Sequence, residues 1–339
     1  GIFGDRAGNF TVQNSDLVLS VGSRLSVPQV GYNFPLFARA AKKIIVDIDS
    51  AELKKPSLKP DLPIQADARE FMLELLTQLT QVKPFKISKW LKRCQDWKVK
   101  YPVVLPEYKD CKDAVNSFYF VHVLSEKLDD KAVIVTDMGT SFTCTMQTFK
   151  TKLGQRLSTS SGHASMGFGL PGAIGACIGN NRKDTICISG DGGLQMNIQE
   201  LQTLVHHNLP IKLFVLNNNG YLTIQATQQN HFGRFVGSEK SSGITCPDIV
   251  KVATAYGLPS IRIAKTEELK AKIDWILNTS GPIVCEVIMR ENQPLIPRVS
   301  SLKKPDGSII SKPIEDLFPF LDREEFLENM IIPPVEILK

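Results

Sequence analysis

Asp191, Asn218 and Gly220 are the residues whose types and spacing could do chemistry together. Asp191 sits in the run Gly190-Asp191-Gly192-Gly193, and Asn218 follows 27 positions later in Asn217-Asn218-Asn219-Gly220. A carboxylate, an amide oxygen and a loop carbonyl form a hard, oxygen-only set. Such a set suits Mg²⁺, which prefers few protein ligands and completes its octahedron with water and phosphate oxygens. The glycines at 190, 192 and 193 let backbone N–H groups approach a phosphate closely, and a following helix adds its positive end. The reading is a metal-bridged diphosphate site; the alternative is an ordinary glycine turn and asparagine loop in a βαβ unit.

The flanking pattern supplies the geometry. Thr185 to Ser189 is a short apolar run ending at the glycines, and Ile211 to Leu216 is a second one ending at the asparagines. Between them Leu194, Ile198, Leu201, Leu204 and Val205 recur at helical spacing, and Asn197 with Glu200 has the form of a capping box. Asn208 and Pro210 stop the helix. A strand, helix and strand of this kind predict a right-handed parallel crossover, which brings Asp191 and Asn218 to one crevice at the carboxyl edge of a sheet.

This arrangement resembles the diphosphate-binding motif of thiamine-diphosphate enzymes. The resemblance implies thiamine diphosphate and Mg²⁺ as cofactors, with Asp191, Asn218 and the Gly220 carbonyl as metal ligands. Tyr221, next in the chain, is counted among the cofactor contacts. Asp137 to Ser141 follows the strand-like run Ala132 to Thr136, so Gly139, Thr140 and Ser141 lie at the same edge; the family's matching loop contacts the phosphates, and a simple turn is the alternative. Gly162 to Pro171 resembles the segment that holds the aminopyrimidine. On that match the Ala164 backbone faces the exocyclic amine and Met166, 25 positions before Asp191, is the apolar wedge that bends the cofactor. Core packing is the alternative for Met166. Gly167 to Gly172 also fits GxGxxG, but no strand precedes it, so a dinucleotide reading is weak. Of the five histidines, His163 alone lies in a cofactor motif; proton shuttle and solvated loop residue both describe it.

The 339 residues suggest two domains, and 42% hydrophobic with 22% charged is an ordinary soluble balance. The net charge of +5 comes from scattered residues without a basic run or interleaved aromatics, which argues against nucleic acid. No apolar stretch reaches membrane-span length. Seven cysteines without CxxC pairs fit reduced thiols and a cytoplasmic location, with Cys177, Cys187 and Cys285 as small core residues.

The expected fold class is α/β, with doubly wound parallel sheets in a partial central domain (1–81) and a complete cofactor-binding domain (116–290). The reading makes 82–115 a linker packed along a domain surface and 291–339 a tail. That tail, with loop Tyr221 to Gly243, is a candidate cover for the site. In the first domain Leu17 to Val21 and Ile44 to Ile48 read as strands, Phe34 to Ala41 as the helix between them, and Asp67 with Glu70 as the cap of a helix running to Leu79. The chain begins at Gly1, and the first part of this domain is expected to lie outside it. The second domain reads as a helix near Asn116 to Leu128, strands at Ala132 to Thr136, Thr185 to Ser189, Ile211 to Leu216, Ser260 to Ile263 and Ile283 to Met289, and helices at Asp248 to Tyr256 and Thr266 to Asn278.

The first domain resembles the later part of the central domain of acetolactate synthase-like enzymes, through Gly1-Ile2-Phe3-Gly4, Asn14 to Leu19, Gly22, Arg24 and Ile44 to Asp49. Some relatives hold a flavin there. Arg24 matches a position that can contact it, while a surface arginine explains it equally, so FAD stays open. The tail resembles those of acetolactate synthase-like proteins from surface-sugar gene clusters. Together these imply decarboxylation of a 2-oxo acid, pyruvate first, and transfer of the two-carbon unit to a carbonyl acceptor. Alternatives are a simple 2-oxo acid decarboxylase, acyl transfer to a keto sugar, and a non-catalytic thiamine-diphosphate-binding module that needs a partner chain. The family's catalytic glutamate lies in an N-terminal domain supplied by a facing subunit. The resemblance therefore implies a homodimer or tetramer and only half of an active site in this chain.

Overall fold

The computed structural model describes residues 1–83, 86–303 and 306–335. In chain order the first elements are α1 (Arg6–Gln13), β1 (Leu17–Val21), α2 (Val27–Val30), β2 (Lys42–Asp47), α3 (Ser50–Lys54), β3 (Leu62–Gln65), α4 (Ala68–Gln78) and α5 (Ser88–Lys100). Then come α6 (Ser117–Lys127), β4 (Val133–Thr136), α7 (Thr140–Thr148), β5 (Arg156–Ser158), α8 (Gly169–Gly179), β6 (Thr185–Gly190), α9 (Asp191–Gln195), α10 (Leu201–His207) and β7 (Ile211–Asn217). They are followed by α11 (Leu222–Phe232), α12 (Ile249–Ala255), β8 (Ser260–Ile263), α13 (Leu269–Asn278) and β9 (Ile283–Ile288). The last elements are β10 (Ser301–Lys303), β11 (Ile309–Ser311) and α14 (Arg323–Asn329). The chain divides into one unit of residues 1–102 with 296–339 and another of residues 103–295.

The first unit holds a three-stranded parallel sheet in the order β1-β2-β3. The first two strands lie where the apolar runs predict them. The expected helix Phe34 to Ala41 does not form: only Phe34–Leu36 makes a 3₁₀ turn, and Ala38 is left-handed at φ 42°. The cause is the buried side chain of Gln13, whose amide accepts from Ala38 N–H (2.7 Å) and donates to the Leu36 carbonyl (2.9 Å). These bonds replace the ladder a helix would have used. β3 has no clear signal in the sequence, because Pro63 restricts this four-residue run to the edge of the sheet. Asp67 caps α4 as expected, accepting from Arg69 N–H (2.8 Å) and Glu70 N–H (3.2 Å).

The stretch read as a linker contains α5, and unit 1 closes at Pro102 instead of residue 81. Trp97 of α5 is buried against Phe10, with ring centroids 5.6 Å apart, and donates to Asn329 Oδ1 (2.7 Å). The lysines spread around α5 mask its apolar stripe of Trp90, Cys94 and Trp97. The described residues from 296 to 335 also pack into this unit: Ile314, Leu317 and Phe326 are buried, and buried Glu315 pairs with Arg39 (2.6 Å) and accepts from Gln13 (2.7 Å). These tail contacts are structural ones within unit 1. Residues 84–85 of the expected linker and 304–305 and 336–339 of the expected tail lie outside the described residues.

α4 buries none of its side chains although Met72 (44% exposed), Leu73 (54%) and Leu76 (58%) line it, and β1 exposes Leu17 and Leu19. Such contiguous apolar surface drives association. Sedimentation of this chain is expected to show concentration-dependent self-association that Leu76→Glu weakens; a monomer at every concentration would contradict it.

The second unit is a six-stranded, all-parallel sheet in the order β5-β4-β6-β7-β9-β8. Its central strands are nearly continuous Val, Ile, Leu and Cys because helices cover both faces. Cys177, Cys187 and Cys285 are fully buried there, as expected, and all seven cysteines are free. The five expected strands of this domain appear within a residue of their predicted bounds. β5, a three-residue edge strand, α7, a helix of mostly Thr and Ser, and α11, which forms in the first half of the expected loop Tyr221 to Gly243, are additions. Among the described residues no helix is long and apolar enough to cross a membrane.

Candidate functional site

Strand order determines where this sheet can bind a ligand. From β4 the chain goes to β5 on one side, and its next strand, β6, lies on the other. The connections above the carboxyl ends of β4 and β6 therefore part, and the crevice between them is the topological switch point. Asp137 to Ser141 leaves β4 there, and Gly190 to Gly193 leaves β6.

Asp191 starts α9 directly after β6 and is 1% exposed. Gly192 N–H donates to one carboxylate oxygen (2.8 Å) and Gly220 N–H to the other (3.1 Å). The Asn218 side chain donates to the Gly220 carbonyl (3.0 Å). Asp191 is thus joined in one hydrogen-bonded cluster with Gly220, 29 residues later in sequence, and through it with Asn218. No cationic side chain pairs with Asp191 among the described residues. Burial pushes its carboxyl up to about 6. A buried carboxylate without a cation, beside an amide oxygen and a carbonyl, matches the donor chemistry of a hard divalent ion.

The helix after Asp191 is not the continuous one expected. It breaks into α9, a 3₁₀ turn at Ile198–Glu200, and α10, which Asn208 ends in the left-handed conformation, in line with its expected role as a stop. The Asn197–Glu200 capping box is absent: Asn197 donates to the Gly167 carbonyl (2.9 Å), and Glu200 accepts from Thr203 (2.8 Å). A tertiary partner has taken the side chain that would have capped locally.

Three helices open on the crevice without a side-chain cap, among them α9, whose N-cap is Gly190. α7 starts at Gly139, with φ 77°, and α11 starts at Tyr221; an added Cβ at Gly139 would lie 3.8 Å from the Thr223 hydroxyl of α11. By contrast Asn116 and Asp248 cap α6 and α12 with their own side chains. Uncapped N-termini leave N–H groups for an anion. Gly139, Thr140 and Ser141 therefore form the first turn of α7 and not a free loop. Ser141 uses its hydroxyl on the Met138 carbonyl (3.0 Å), so its backbone is the available donor. Gly192 is required for packing: a Cβ there would meet the Tyr221 ring at 2.2 Å.

His163, Ala164 and Met166 are exposed on the loop before α8, with Ala164 left-handed at φ 55°. That loop is tied to the crevice by Asp137, a residue to which no motif in the sequence assigns a role. Its carboxylate accepts from Met138 N–H (2.8 Å), Gly167 N–H (3.0 Å) and the Ser189 hydroxyl (2.8 Å), joining β4, the loop and β6. Burial raises its pKa above the ordinary carboxylate range, and those hydrogen bonds oppose the rise. The one signal in the sequence is a lone acid directly after an apolar strand. The cluster around Asp191 does not include His163. Arg24, in the other unit, pairs with Glu52 (2.7 Å).

Fold and cluster define a parallel α/β domain with clustered oxygen atoms and helix N-termini without side-chain caps at its switch point. Family models match twice: the central domain of thiamine pyrophosphate enzymes over residues 1–75, and their C-terminal thiamine-pyrophosphate-binding domain over residues 137–287. The acetolactate synthase large subunit of Cyanidium caldarium is 34% identical over 307 residues, covering 88% of this chain and 51% of that protein. Acetolactate synthase 2, chloroplastic, of Nicotiana tabacum is 33% identical over 311 residues, 89% of this chain and 46% of its own length. The large subunit of Pyropia yezoensis is 33% identical over 318 residues, 92% and 52%. The chain belongs to the thiamine-diphosphate enzymes of the acetolactate synthase-like family. It spans about half the length of the curated relatives it matches.

Proposed function

We propose that this chain holds thiamine diphosphate through Mg²⁺ and forms part of an enzyme that decarboxylates a 2-oxo acid, pyruvate first, and passes the two-carbon unit to a carbonyl acceptor. The observation that carries the reading is the convergence of Asp191, Asn218 and the Gly220 carbonyl beside three helix N-termini without side-chain caps. Asp191, Asn218 and Gly220 would hold the metal. Backbone N–H groups at Gly139 to Ser141, at Gly190, Gly192 and Gly193, and at the start of α11 beside Tyr221 would bind the diphosphate. Asp137 fixes the loop on which Ala164 and Met166 would face the aminopyrimidine. When bound, the cofactor supplies the electron sink that lets a 2-oxo acid lose carbon dioxide. His163 is a weaker candidate, as a proton carrier. The glutamate that polarises the aminopyrimidine would come from an N-terminal domain of a facing subunit, in a homo-oligomer, so this chain alone is expected to be inactive.

The acceptor has a second reading. α11 (LTIQATQQNHF) follows the metal loop directly and is polar at most positions, with Thr223 near Gly139. A hydroxylated acceptor such as a keto sugar, with several groups able to hydrogen-bond these side chains, would suit that helix better than a 2-oxo acid with an alkyl side chain. Pyruvate consumption, with and without a keto sugar, should be measured for this chain alone and with the amino-terminal half of a related synthase supplied in trans. Turnover only with the added half is expected. Turnover by the chain alone would contradict the division of the active site, and cofactor binding without turnover in either case would favour the binding-module reading.

A further inference from the structure

The loop that carries Asn218 and Gly220 rests on a chain of polar groups outside the cluster. Glu286 of β9 is 1% exposed and lies opposite Val215 of β7. Its Oε1 accepts from Asn217 Nδ2 (2.6 Å) and its Oε2 from Arg262 Nε (2.6 Å). Arg262 also pairs with Asp248 (2.8 Å), the cap of α12. At the other end of its amide, Asn217 Oδ1 accepts the N–H of Asn219 (2.9 Å). Asn219 is left-handed at φ 59°, and the next residue, Gly220, donates to Asp191 and presents its carbonyl to Asn218.

The direction of these bonds matters. Both Glu286 oxygens accept, one from Asn217 Nδ2 and one from Arg262 Nε, so Glu286 decides which end of the Asn217 amide faces it and leaves Oδ1 for Asn219. Arg262 offsets the cost of burying the carboxylate, and Asp248 holds Arg262 in turn. The Asn219 conformation, unfavourable for a residue with a side chain, is thereby held where Gly220 must be. We propose that Glu286 is a positioning residue for the metal- and diphosphate-binding loop, acting through the amide of Asn217. This rests on the metal reading proposed above, but the loop's geometry can be tested apart from it.

Two readouts on the full chain decide the matter, each for Glu286→Gln and for Asn217→Ala, which cuts the relay and leaves the Glu286–Arg262 pair intact. In the ligand-free chain, amide hydrogen exchange at Asn219 and Gly220 is expected to speed up at least tenfold while protection in β4 is unchanged. In calorimetry, Mg²⁺-dependent affinity for thiamine diphosphate is expected to fall about tenfold in each variant, and the double variant to lose no more than either single one. Unchanged exchange at 219–220, or an equal loss of protection in β4, would overturn the proposal. So would wild-type affinity in both variants, or additive losses in the double variant. If the unaltered chain binds thiamine diphosphate equally well in EDTA, the metal reading falls, and hydrogen exchange alone then decides the role of Glu286.

Discussion

Asp191→Asn is expected to make the ligand-free chain more stable and, at the same time, to abolish Mg²⁺-dependent binding of thiamine diphosphate. The two effects share a cause. Burial lifts the Asp191 carboxyl from 3.8 to about 6, so the folded state holds this proton more tightly than the unfolded one. Between those two pH values the folded chain carries more protons, and stability falls as pH rises. Below 3.8 the penalty is absent, and above about 6 it is fully present. Each tenfold change in proton affinity is worth about 1.4 kcal/mol, so the ionised side chain costs the apo fold on the order of 3 kcal/mol at neutral pH. Asparagine removes the charge but keeps only one of the two acceptor oxygens that Gly192 and Gly220 use, which offsets part of the gain at every pH. Denaturant titrations should show the variant gaining on the native chain by ~2–3 kcal/mol between pH 3.5 and pH 7.5. Asp191→Ala should lose the ligand as completely. Unchanged affinity of either variant in calorimetry would remove the metal assignment.

Asp137→Ala should have the second largest effect, of opposite sign in the apo chain. It leaves two backbone N–H groups and the Ser189 hydroxyl without their acceptor in a buried place. Such groups cost about 1–3 kcal/mol each when left unpaired, less where water enters. A loss of about 3 kcal/mol is expected, together with faster proteolysis of the loop before α8 and weaker cofactor binding. Asp137→Asn keeps an acceptor oxygen and should lose less. Native stability and native protease resistance in Asp137→Ala would show that the loop is held by something else.

The cofactor-binding domain is legible in the sequence because its strands are continuous apolar runs that end sharply. Ile211 to Leu216 has no other reading than a buried strand, and the asparagines after it mark its carboxyl end. Asp191, Asn218 and Gly220 can be grouped from spacing alone, since a parallel crossover fixes which ends meet. What stays hidden depends on contacts distant in sequence. Gln13 dissolves a helix by bonding to Leu36 and Ala38, and Asn197 leaves its cap to reach Gly167. Asp137 has the look of a turn residue because its three donors come from different elements. α5 has the look of a linker because lysines surround Trp97, whose partners Phe10 and Asn329 lie at opposite ends of the chain. The 3.6-residue and two-residue periods record which face is buried, and they carry no trace of partners so far away.

The central claim is that this chain clamps a diphosphate through a metal at the β4–β6 switch point. Calorimetric titration of thiamine diphosphate into the unaltered chain, in Mg²⁺ and then in EDTA, tests it most directly. Saturable binding in Mg²⁺ that disappears in EDTA, and weakens as the pH is lowered through about 6, is the expected result. Equal binding in both solutions, or none in either, would contradict it.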